Sequence, residues 1–182
     1  FSKDISEYCA EGYVCKGDDN GTYIVAEAPE VTYVAQVNDG EKYETLAAAV
    51  AAAKDDDIVT LLSDVADVGI VIDKDITIDF GGYTYTFTEG AGSSGTPSTG
   101  FQILQGNKVT LKNGTLNVAE ANKDKFYILV QNYADLTVED MTLDGTNLDK
   151  WSTTDGDSYV LSNNSGNDNI TGNTTIIAND DG

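Results

Sequence analysis

The side chains in this sequence that could do chemistry are almost all oxygen ligands and carboxylates. Asp144, Asn147, Asp149, Asp155 and Asp157 crowd one acidic segment. Hard cations take several oxygen ligands, so this set suits Ca2+, and Ca2+ is the one cofactor the sequence suggests. Asp18, Asp19 and Asn20 crowd a second turn, and neither cluster has the spacing of an EF-hand loop. Asp140 with Asp144, and Asp155 with Asp157, are close carboxylate pairs. Such a pair about 5–10 Å apart in a groove could hydrolyse a glycoside. With 31 Asp and Glu in the chain, however, close pairs arise by chance. The acids therefore read mainly as a solvated face that keeps the protein soluble. Trp151, with Tyr127, Tyr133 and Tyr159, supplies aromatic faces for a carbohydrate platform. The opposing reading is that Trp151 folds back to cover the core, as large aromatic side chains usually do.

Other chemistries are excluded by what is missing. The chain has ten Lys, no Arg and no His, and a net charge of −21. No Ser-His-Asp or Cys-His arrangement can be built without His. Nucleic acid and anionic membranes are poor partners, because binding phosphates requires cationic side chains. No apolar run approaches the ~20 residues that span a bilayer. Residues 90–95, GAGSSG, lack the Lys-Ser/Thr ending of a phosphate loop. Cys9 and Cys15 are either a disulfide across a small loop or two separate buried thiols. A zinc site fails for want of His or a second Cys pair. The chain begins at Phe1 with neither Met nor a leader, and it reads as a piece of a longer polypeptide.

The elements that must position these side chains start from residues 43–62, YETLAAAVAAAKDDDIVTLL. Leu46, Val50 and Ala53 share one face of a short helix, and Thr45 is placed to cap it. Asp55, Asp56 and Asp57 oppose the macrodipole, so the helix should stop by Lys54. Ile58 to Leu62 then reads as a buried strand. Ahead of this, residues 1–30 form a small unit. Asp4 caps a helix over 5–10, and strand-like Tyr13–Lys16 and Thr22–Val25 flank an Asn-Gly turn. Val31 to Val37 reads as a further strand.

From Gly69 one sentence recurs, at 69–87, 101–118, 126–145 and 159–178. Each has an apolar triplet, a polar turn, an apolar-Thr-apolar core, a Gly/Asn/Asp turn and another short strand. The cores are Ile76-Thr77-Ile78, Val109-Thr110-Leu111 and Leu136-Thr137-Val138, with a degenerate fourth around Ile170-Thr171. Stacked units that each bury a thin apolar strip make a solenoid. With strands and no intervening helices, the expected fold is all-β, a right-handed parallel β-helix over 31–182. The helix near 43–54 would cap one end. Alternation puts the aliphatic members of each core inside and Thr77, Thr110 and Thr137 in an outward column. A sandwich of antiparallel hairpins is the rival. Three insertions leave the column, at 89–100, 119–125 and 146–158.

ETLAAAVAAAKDDDIVTLLSDV, followed by IDKDITIDFGGYT, resembles the start of right-handed β-helix modules in large, adhesin-like surface proteins of anaerobic Gram-positive bacteria. FSKDISEYCAEGYVC and NGTYIV resemble the segment that closes a unit in those arrays. The resemblance implies an extracellular or cell-surface, non-catalytic module with adhesive or spacer use. Its partners would be adjacent modules of the same chain and a host or microbial glycan or protein surface. The alternative is a carbohydrate-binding or glycan-active β-helix. Lyases that resemble pectate lyase use an Arg base, which this sequence lacks.

Overall fold

Period-2 alternation in short strands, punctuated by Gly, Asn and Asp, leaves each strand with one apolar face too narrow to stand alone. The computed structural model, which describes residues 9–17, 23–28, 30–92, 98–149 and 156–179, shows how those faces are joined. The chain divides into two compact units, Phe1–Thr32 and Tyr33–Gly182.

In the first unit, β1 (Tyr13–Gly17) pairs antiparallel with β2 (Tyr23–Glu27). A disulfide joins Cys9 to Cys15 and settles the choice that spacing left open. Residues 5–8 of the expected helix and the acidic turn at Asp18, Asp19 and Asn20 lie outside the described residues, and Cys9 and Ala10 are not helical.

The second unit is a β-solenoid of about three turns. It opens with β3 (Ala35–Val37), which pairs antiparallel with β4 (Lys42–Tyr43) and with β5 (Asp57–Leu61). Between them lies α1 (Leu46–Ala52), capped by Thr45, whose hydroxyl accepts from Ala48 N at 3.0 Å. Leu46, Ala49, Val50 and Ala53 are buried. The far end of α1 is satisfied in a way the local sequence does not announce. Lys74 Nζ donates to the carbonyls of Ala51 (3.2 Å) and Ala53 (3.0 Å), placing a cation at the negative end of the helix.

Three parallel ladders follow. The first stacks β5, β8 (Ile76–Asp79), the leading half of β11 (Lys108–Val118), the leading half of β13 (Asp135–Asp144) and β15 (Asn167–Thr171). The second stacks β6 (Val65–Val68), β9 (Thr84–Glu89), the trailing halves of β11 and β13, and β16 (Thr175–Ile177). The third stacks β7 (Ile70–Ile72), β10 (Thr99–Ile103), β12 (Ile128–Asn132) and β14 (Tyr159–Asn163).

Ile76, Val109 and Leu136 are in register, as are Ile78, Leu111 and Val138, and all six are at most 2% exposed. Thr77, Thr110 and Thr137 stack between them, partly exposed. The expected fourth core is displaced. Ile170 lies in register with Val138, so Asn169, not Thr171, continues the threonine column. The shaft holds an aromatic cluster. Phe101 approaches Phe87 (4.9 Å between ring centres), Tyr85 (5.8 Å) and Phe80 (6.4 Å), and Phe87 approaches Phe126 (6.2 Å). The Tyr85 hydroxyl donates to Val68 O at 2.7 Å, which satisfies it inside the core.

Sharp corners between the first and second ladders need left-handed backbone. Gly81, Asn113, Asp140 and Gly172 supply it, with φ of 60°, 59°, 51° and 64°. At this corner Asp79 Oδ1 accepts from Gly81 N (2.9 Å) and Asn113 Nδ2 (3.1 Å), and Lys112 Nζ sits 3.3 Å from Oδ2. Partial burial would raise the Asp79 carboxyl. The bonds from Gly81, Asn113 and Lys112 outweigh it and hold the group below its ordinary range. A depressed folded-state value means the stabilisation is present above the unfolded value and lost as pH falls through the folded one. The melting-temperature gap between the wild type and Asp79→Asn should therefore be widest above the ordinary carboxylate range and close as the pH falls below it. A gap that widens on acidification would contradict this account.

Candidate functional site

The third ladder ends at a corner where the turns of three successive coils lie side by side. These are residues 104–107 after β10, 133–134 after β12 and 164–166 after β14. Two asparagines at the ends of their strands build this corner, and β12–β14 pairing stacks Asn132 on Asn163. Asn132 is fully buried, facing the shaft where Ile103 sits one coil earlier. Its Oδ1 accepts from Ala134 N (2.8 Å), and its Nδ2 donates to Ala134 O (3.0 Å) and Asp168 Oδ1 (2.7 Å). Asn163 repeats the clamp one coil on, accepting from Gly166 N and donating to Gly166 O, both at 3.0 Å. Gly166 is required here, because a Cβ would lie 2.1 Å from Ala134 O.

These clamps fix a groove of about 310 Å³. Its floor is a registered row, Lys108, Asp135 and Asn167, one residue from each coil. Asn167 Nδ2 donates to Asp135 Oδ1 at 2.6 Å, while Lys108 makes no ion pair among the described residues. Tyr133 forms a wall, held by its backbone N–H on Ile103 O (3.0 Å). The row was not anticipated from the sequence. A signal was present for two members: Lys108 and Asp135 each immediately precede an apolar-Thr-apolar core, whereas Asn167 precedes Asp168.

The anticipated aromatic platform is divided. Tyr127 and Tyr159 meet where β12 and β14 begin, with Tyr159 N donating to Tyr127 O at 2.8 Å. Tyr133 stands past the other end of β12, a strand of five residues or roughly 17 Å. Tyr159 is exposed, and its hydroxyl lies 3.4 Å from Asp157 Oδ2. Trp151 lies outside the described residues.

The anticipated oxygen cluster is dispersed among local bonds where it is described, and Asp144 is the member whose carboxylate holds a turn. Asp144 Oδ1 accepts from Thr146 N (3.0 Å), and Asn147 Nδ2 donates to Val118 O (2.9 Å). Asp149 bonds through its backbone N–H to Phe126 O (2.8 Å). Asp155 is outside the described residues. Among the described residues, no three acidic, Cys or His side chains converge to hold a metal. Of the two carboxylate pairs, Asp140 sits at a left-handed corner with its Oδ1 accepting from Asn173 N at 2.7 Å. The other pair includes Asp155. Asn117 Oδ1, one coil before Asp144, is a buried oxygen without a partner among the described residues.

No protein-family model, curated protein or solved structure matches this chain.

Proposed function

We propose that this chain is a non-catalytic, right-handed parallel β-helix module of a bacterial surface protein. It serves outside the cell as a structural spacer that stacks on further coils of the same kind. Right-handedness is supported by the general preference of parallel crossover connections for that hand. A non-catalytic role is supported by Asp140 and Asp144, whose carboxylates are engaged in building turns.

The observation that carries the stacking role is the difference between the two ends of the column. At the start, β3 pairs along β5 and α1 packs beside them. At the far end the interior register continues into solvent. Ile170, in register with fully buried Val138, is 47% exposed, and Ile176, in register with fully buried Leu143, is 45% exposed. Aliphatic side chains aimed along a shared shaft, beside strand edges that carry no further ladder among the described residues, are matched by another coil.

The test is a tandem duplication of residues 145–177 placed directly after Ile177, which supplies one further coil in register. The melting temperature should rise, and the amides of β15 and β16 should exchange with solvent at least about tenfold more slowly. If the added coil stays unprotected and β15 and β16 exchange as before, the end is not a stacking surface.

A further inference from the structure

We infer that the groove at the third corner binds a neutral saccharide along the axis of the column. The groove lies on the flank of the column and, although Asn167 also begins β15, the inference does not rest on the stacking proposal.

The groove presents hydrogen-bonding groups in a fixed row. Lys108 offers only donors, Asp135 only acceptors, and Asn167 both. A sugar hydroxyl both donates and accepts, so a run of ring hydroxyls can engage all three kinds. Coils in a parallel ladder repeat at about 4.8 Å, so the row spans roughly 10 Å, room for a short oligosaccharide segment rather than one small ion. Tyr133 gives the wall an amphipathic ring, apolar on its face and polar at its tip, suited to packing against the C–H face of a sugar. The row is also rigid. The buried amide of Asn132 holds the 133–134 turn and Gly166 admits the next turn against it, so little ordering cost is left for binding.

Charge selects among saccharides. At a net charge of −21 the protein repels uronates, sulfated glycans and phosphorylated ligands, and the single Lys of the row is offset by Asp135. An apolar ligand has too little to pack against. A neutral chain of hexoses meets every group without a charge penalty.

The test is a titration, read by calorimetry and ligand-detected NMR, with neutral tetramers of β-1,4-glucose, α-1,4-glucose and β-1,4-mannose. A galacturonate tetramer serves as the anionic comparison. At least one neutral tetramer should bind saturably with Kd below about 10 mM. Tyr133→Ala and Asn167→Ala should each weaken that binding by about tenfold or more. Tyr133→Phe, which keeps the ring, should retain most of it, and Tyr159→Ala, at the other corner, should leave it unchanged. Circular dichroism of each variant separates a lost contact from a lost fold. The inference fails if no neutral tetramer binds below about 10 mM. It fails equally if binding survives in folded Tyr133→Ala, or if the galacturonate tetramer binds more tightly.

Discussion

Phe101→Ala should cost about 3–5 kcal/mol of stability, a large share of what holds a chain of this size folded. The ring is fully buried and is the hub of the aromatic cluster, touching Phe80, Tyr85 and Phe87. Removing it leaves a cavity that neighbouring coils cannot close, because their spacing is fixed by ladder hydrogen bonds on both sides. The melting temperature, followed by far-ultraviolet circular dichroism, should fall by roughly 10 °C. Phe101→Leu, which keeps most of the volume, should fall much less. In a stacked fold each coil is stabilised mainly by its neighbours, so lost amide protection should centre on β7, β10 and β12. A drop below about 1 kcal/mol in Phe101→Ala would show that the ring is not a core element.

Asn132→Leu should be the second large loss. Leucine fills a similar volume and suits the apolar shaft, and Ile103 occupies the same register one coil earlier. The cost arises from the partners left behind. Ala134 N and O and the Asp168 carboxylate each lose a bond to the buried amide. Ala134 O keeps the bond from Asn167 N (2.9 Å) and the exposed Asp168 keeps that from Asn163 Nδ2 (2.8 Å), so Ala134 N is the buried group left unpaired, at a cost of about 1–3 kcal/mol. Asn163→Leu should cost less, because that coil is exposed and water can replace the amide. The comparison is made by chemical denaturation of both variants. Equal losses, or a neutral Asn132→Leu, would mean that the asparagine is not what fixes the corner. Asn132→Leu should also weaken any saccharide binding in the groove, because Tyr133 and Asp135 flank the turn it clamps.

Much of the column was legible in the sequence because alternation is a local property. Ile76, Ile78, Val109, Leu111, Leu136 and Val138 announce their inward direction through the residues on either side, and they are buried. Thr45 announces a cap through the helical run that follows it, and it caps. The left-handed corners were legible as a residue type, although Asp140 in that role was read instead as a candidate acid.

What stacks on what was not legible, because the coils differ in length. Lys108, Asp135 and Asn167 are separated by 27 and 32 residues, since 135 − 108 = 27 and 167 − 135 = 32. No single period finds them, and loops of unequal length close at nearly equal entropic cost. The same holds for Lys74 at the end of α1, for Asn132 on Asp168, and for three tyrosines that looked like one platform and stand at two corners. The sequence by itself determined which side chains turn inward and where the backbone bends, because neighbours along a strand decide both. Only the tertiary structure decided which coil lies against which. That depends on backbone hydrogen bonds between segments whose intervening loops carry no memory of the register.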